Sequence, residues 1–60
     1  MTYADVKTTW NKNYLIYLQA QGLHNDSEAR AKSFNNYCDI LVEAGNINTT
    51  DSDKFKKEGI

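Results

Sequence analysis

Apolar residues recur every three or four positions through the first twenty residues of the chain. This spacing places side chains on one face of an α-helix, and it predicts a helix over about residues 3–21. Thr2 and Asp5 have the spacing of a capping box, in which a hydroxyl and a carboxylate bond to free backbone amides. The apolar stripe consists of Tyr3, Val6, Trp10, Tyr14 and Tyr17, and Leu15 and Leu18 widen it.

A second helical pattern covers about residues 26–44 and separates its apolar and polar faces more cleanly. Asn25 together with Glu28 predicts the start of this helix, and Asp26 is an alternative cap. Its acidic first turn suits the positive end of the helix dipole. The predicted core stripe of this helix is Phe34, Tyr37, Cys38 and Leu41.

The last third of the chain predicts one short helix, over about residues 51–58, with Thr50 as its N-cap. Acids lie in its first turn and lysines in its last, which is the order that the helix dipole favours. Eight residues do not form a stable isolated helix in water. We therefore expect this helix to dock on the rest of the chain through Phe55.

A glycine follows each predicted helix: Gly22, Gly45 and Gly59. A glycine just past a helix end adopts the left-handed conformation that reverses the chain, and the apolar residue that follows packs on the last turn. Leu23, Ile47 and Ile60 fill that second role here. Together these signals predict one all-α domain spanning residues 1–60, with two longer antiparallel helices and a short third helix.

Composition limits the chemistry that the chain can carry. With 60 residues the core is thin, and with a single cysteine, Cys38, no disulfide forms within one chain. Cys38 and His24 are the only soft or borderline metal ligands, so we expect no metal and no cofactor. His24 lies in a predicted turn without a nucleophile at a useful spacing, and we therefore expect neither an enzyme nor a small-molecule substrate.

Charge and hydropathy bear on location and partners. The formal net charge is −1, which gives no general attraction to nucleic acid or to an anionic membrane. Asp5 lies where a secretory signal would carry basic and apolar residues, and the apolar run 14–18 is far too short to span a bilayer. We expect a cytoplasmic protein without a membrane association.

Nucleic-acid binding is an alternative because the second and third predicted helices have the spacing of a helix-turn-helix. Lys54, Lys56 and Lys57 would then form a basic patch. Asp51 and Asp53 at the start of the same helix would face phosphates and oppose binding. We therefore rank a DNA-binding regulator below a protein-binding one.

The first predicted helix offers the strongest candidate for a protein-binding surface. Tyrosine and tryptophan are enriched at interfaces, and Ile16 lies outside the core stripe, which leaves more apolar surface than one neighbouring helix covers. Core packing is the competing role of these side chains, and it is the favoured one for Trp10. The candidate surface is Tyr3, Trp10, Tyr14, Ile16 and Tyr17.

The predicted partner is another protein or a second copy of this chain in a homodimer. A small regulator or inhibitor of a larger protein fits this prediction, and a homo-oligomeric structural or assembly component is a further alternative. Six lysines to one arginine and seven asparagines are typical of an AT-rich coding sequence. That bias favours an origin in a bacteriophage or mobile element.

Overall fold

The computed structural model describes residues 1–59, and over that range helices joined by turns make up the protein. The predicted all-α fold is confirmed, with two longer helical segments and a shorter third. The first of these segments is divided into two helices. In chain order the helices are α1 (Tyr3–Asn13), α2 (Leu15–Ala20), α3 (Ser27–Glu43) and α4 (Thr49–Glu58).

The division between α1 and α2 lies at Tyr14, where the sequence pattern predicts an unbroken helix. The Tyr14 backbone leaves ideal helical geometry at φ −111° and ψ −34°. Its carbonyl accepts a short-turn hydrogen bond from the Tyr17 amide at 3.1 Å, while the regular bond from Leu18 lengthens to 3.5 Å. The Tyr14 ring packs against Tyr37 of α3, with 4.7 Å between the ring centroids. The helix is therefore interrupted at the residue that makes this tertiary contact.

The starts of α1 and α3 follow the predicted capping signals. The reciprocal bonds of a capping box connect Thr2 and Asp5, and the bond from Thr2 lowers the pKa of the Asp5 carboxyl. At α3 the cap is Asp26, the alternative to Asn25. Its Oδ1 accepts from the backbone amides of residues 28 and 29 at 3.0 and 3.1 Å. One carboxylate oxygen thus satisfies two free amides.

The start of α4 differs from the prediction. The N-cap is Asn48, whose Oδ1 accepts from the Asp51 amide at 2.7 Å, and the helix begins two residues earlier than expected. Thr50, the predicted cap, is the second helical residue. Asparagine caps helices better than threonine does, and its side chain here reaches the third amide of the helix. The prediction of Thr50 as the cap is wrong.

All three glycines have positive φ angles, between 70° and 80°, and the predicted turns at Gly22 and Gly45 are confirmed. Gly59 differs from the prediction, because its ψ of −163° lies outside the left-handed helical region. After α2 the Leu23 amide donates back to the Leu18 carbonyl at 2.7 Å. After α3 the Asn46 amide donates to Leu41 in the same way, at 2.9 Å. These bonds satisfy the last carbonyls of each helix and reverse the chain. The predicted contact of Ile60 lies outside the described residues.

The core is centred on Trp10 and Phe34, which are fully buried. Their rings meet edge to face with centroids 6.1 Å apart. This arrangement places the positive edge of one ring against the negative face of the other. The predicted core stripe of α3 is confirmed, and the buried apolar set is Val6, Trp10, Leu18, Phe34, Tyr37, Cys38, Leu41, Ile47 and Phe55.

Helix α4 docks on this core through Phe55, as predicted. The Phe55 ring lies 5.7 Å from that of Tyr3, and Tyr3 also packs edge to face on Phe34 at 6.3 Å. The Tyr3 hydroxyl donates a hydrogen bond to the Gly59 carbonyl. Tyr3 thus connects α1 to both later helices.

Two alanine substitutions test the start of α4. We expect Asn48→Ala to lower the free energy of unfolding by about 1 kcal/mol, because the amide that it caps loses its partner. Thr50→Ala is the matched control and is expected to change it by less than about 0.5 kcal/mol. Urea unfolding followed by circular dichroism measures both. A larger loss for Thr50→Ala than for Asn48→Ala would contradict the observed cap.

Candidate interaction surface

Trp10 belongs to the core and is removed from the predicted surface. Its side chain is fully buried, and its indole Nε1 donates to the Ser33 Oγ at 3.0 Å. The Arg30 guanidinium lies over the ring, 5.4 Å from the centroid, and donates to the His24 carbonyl at 2.9 Å. The polar end of the indole is therefore satisfied inside the protein, and no part of it remains for a partner.

Tyr3 and Tyr14 lie at the edge of the core. Both are half-buried, and each ring packs against an aromatic residue of α3. Burial raises the pKa of Tyr37, the residue on which Tyr14 lies, and the nearby Tyr14 hydroxyl adds to the effect. Tyr37 is accordingly neutral at physiological pH. Tyr3 and Tyr14 are fixed by packing and offer a partner only their outer edges.

Ile16 and Tyr17 are the predicted site residues that lie on the surface. Their exposed fractions are 60% and 67%, the largest among the large apolar side chains in the described chain. They are neighbours on α2, which anchors itself in the core through Leu18 and, in part, Leu15. We call this exposed pair, Ile16 and Tyr17, the α2 surface.

The α2 surface lies in an uncharged part of the chain. Residues 13–25 include no aspartate, glutamate, lysine or arginine. Depletion of charge together with exposed tyrosine is the composition of interface cores. Leu23, near the end of the same stretch, is also exposed. The sequence pattern predicted the opposite, because an apolar residue after a helix-ending glycine usually packs on the last turn of the helix.

The lysines of α4 do not form a uniform basic patch. Lys54 and Lys57 are exposed, but the Lys56 ammonium lies 2.5 Å from the Asp39 carboxylate of α3. This hydrogen bond raises the pKa of Lys56, so the ammonium stays charged while its field is neutralised locally. Of the three lysines predicted as a nucleic-acid patch, Lys54 and Lys57 are therefore exposed, whereas Lys56 joins α3 to α4 through its ion pair.

The two side chains with potential for chemistry lie in different surroundings. Cys38 is fully buried in the core, and burial raises the pKa of its thiol, so the thiol stays protonated and unreactive. His24 lies in the turn before α3, and its Nε2 is 3.4 Å from the Asn25 side-chain amide. Within residues 1–59, no group of three or more histidine, cysteine, aspartate or glutamate side chains could hold a metal ion.

No helix in the described part of the chain has both the length and the apolarity needed to cross a membrane. Comparison with protein-family models, curated proteins and solved structures finds no match.

Two tyrosine variants test the division between core edge and surface. We expect Tyr14→Ala to lower the free energy of unfolding by at least about 1 kcal/mol, because the aromatic contact with Tyr37 is lost. Tyr17→Ala is expected to change it by less than about 0.5 kcal/mol, as exposed positions do. Urea unfolding measures both, and Tyr14→Phe controls for the ring alone. Equal losses of unfolding free energy in Tyr14→Ala and Tyr17→Ala would contradict the placement of Tyr17 on the surface.

Proposed function

We propose that this protein is a small, non-enzymatic binding module that engages another protein through the α2 surface. The observation that carries the proposal is the exposure of two consecutive residues of α2, Ile16 and Tyr17, in an uncharged stretch of the chain. A domain of 60 residues has a thin core and gains stability from every large apolar side chain that it buries. Two such side chains left in solvent on one short helix support an association site there.

The energetics of the pair suit reversible binding. Full burial of a large apolar side chain contributes about 1.5–3 kcal/mol, and the two side chains together supply a substantial part of a micromolar affinity. Tyrosine adds a hydroxyl at the end of an apolar ring, which can bond at the rim of a hydrophobic groove. The proposed partner therefore presents an apolar groove with a hydrogen-bonding group at one end.

The backbone around α2 favours a preorganised surface. Helix α2 has six residues and no side-chain cap, so it would not be stable by itself. In the fold its first residues follow the Tyr14 contact, and its last carbonyls are satisfied by the Gly22 turn. Binding then costs little ordering of the backbone, because the protein core already holds the helix.

The proposed role is that of a regulator or inhibitor of a larger protein. Self-association through the same surface is an alternative that the absence of charge on α2 permits, since two identical uncharged faces do not repel each other. DNA binding ranks below both, because the acidic first turn of α4 and the Lys56 ion pair weaken the basic patch.

The double variant Ile16→Ser/Tyr17→Ser tests the proposal. Ile40→Ser is the matched control, because Ile40 is also an exposed apolar residue, at 43%, but lies on α3. Tagged wild type, double variant and control are used to capture proteins from a lysate of the source organism, and the captured protein is then titrated by calorimetry. We expect the double variant to bind at least about tenfold more weakly, with the control close to wild type.

Sedimentation of the same three proteins identifies self-association. A dimer that the double variant abolishes and the control retains would make the partner a second copy of this chain. The proposal would be overturned if the folded double variant still captured the same protein with the same affinity and also had the same sedimentation mass as wild type. Circular dichroism establishes that each variant is folded.

A further inference from the structure

Helix α4 has a single apolar anchor. Phe55 is the only apolar residue among its ten, and the Phe55 ring packs against Tyr3. A helix of this length is not stable by itself in water, so its order depends on docking. Ile47, two positions before α4, is itself buried, and its amide donates to the Leu41 carbonyl at 3.4 Å. The chain that leads into α4 is thus fixed to α3 separately from α4.

Ser52 opposes the docking of α4. It lies where α4 meets α3 and is 3% exposed, and its hydroxyl has no hydrogen-bond partner among the described residues. A buried hydroxyl without a partner costs free energy, because the bonds that it makes to water in an open protein are lost. Where α1 meets α3, by contrast, the Trp10 indole N–H is bonded to Ser33. The contact between α3 and α4 therefore contains a polar group that separation of the two helices would satisfy.

Two polar contacts also hold α4 in place. The Lys56 ammonium is paired with Asp39, whose side chain is 65% exposed, and ion pairs this exposed contribute little to stability. The Tyr3 hydroxyl donates to the Gly59 carbonyl just after the end of α4. Neither contact involves the central Trp10–Phe34 pair, so both can break while the centre of the core stays packed.

We propose that α4 is a detachable segment, which separates from α3 as a unit while α1, α2 and α3 stay folded. The chain turns after Ile47, the Ser52 hydroxyl gains water, and the surfaces of Tyr3 and Val42 that face α4 are uncovered. Local opening of this kind requires less free energy than global unfolding. It gives the protein two conformations, and a molecule that binds one of them better shifts the population toward it. The proposal does not depend on the α2 surface.

Hydrogen exchange of the backbone amides, followed by nuclear magnetic resonance of the ¹⁵N-labelled protein, tests the proposal. We expect the amides of residues 53–57 to be protected at least about tenfold less than those of residues 37–41 in α3. Opening as a unit gives the α4 amides one common protection factor, whereas fraying gives a gradient toward the helix end. Exchange in α4 is also expected to depend less on urea, because local opening exposes less surface than global unfolding.

Alanine variants test the role of the Ser52 hydroxyl. Ser52→Ala is expected to raise the protection of the α4 amides at least about fivefold more than Thr50→Ala does, because it removes the unpartnered group. Thr50→Ala is the matched control, since it replaces an exposed hydroxyl residue in the same helix with a similar gain in helix propensity. Tyr3→Phe is expected to lower α4 protection about threefold and to leave the ratio of α2 to α3 protection unchanged.

Three results would overturn the proposal. The first is equal protection and equal urea dependence in α3 and α4, which would mean that α4 opens only when the whole protein unfolds. The second is a gradient of protection along α4, which would mean that the helix frays. The third is equal protection of α4 in folded Ser52→Ala and Thr50→Ala, which would remove the role of the buried hydroxyl. Capture of a partner by the α2 surface is unaffected by any of these results.

Discussion

The burial of Trp10 against Phe34 is the interaction on which the rest of this structure depends. The contact joins α1 to α3 at the centre of a small core, and the indole N–H is satisfied by Ser33. Removing a buried tryptophan typically costs about 3–5 kcal/mol. A chain of this length has a total stability of roughly 3–9 kcal/mol, at about 0.05–0.15 kcal/mol per residue. One side chain therefore contributes an amount comparable with the stability of the whole domain.

The placement of Trp10 also explains where apolar surface remains. Trp10 and Tyr14 both direct their rings to α3, and the helix is interrupted at Tyr14, so α2 begins with a new set of contacts. Within α2, Leu18 enters the core while Ile16 and Tyr17 stay in solvent. The exposed pair is thus a consequence of how the first helical segment is packed, and the same contacts that stabilise the fold hold the pair in place.

Local signals were sufficient to predict much of the fold. The Thr2 capping box, the positive φ of the glycines and the core stripe of α3 depend on neighbours in the chain, and all are confirmed. The interruption at Tyr14 coincides with a contact to Tyr37, 23 positions away, which periodicity does not reveal. For the same reason the sequence favoured a core position for Trp10 but did not place Tyr17, which shares its helical stripe and is exposed. The Lys56–Asp39 ion pair forms only where α3 and α4 meet, so no spacing in the sequence indicates it.

Fluorescence of Trp10, the only tryptophan in the chain, tests the central claim most directly. Emission spectra and acrylamide quenching are recorded for the native protein and for the same protein in urea. A buried indole predicts native emission at shorter wavelength than in the unfolded chain, with quenching strongly reduced. Native emission at the wavelength of the unfolded chain, with equal quenching, would place Trp10 in solvent and contradict both the core and the surface derived from it.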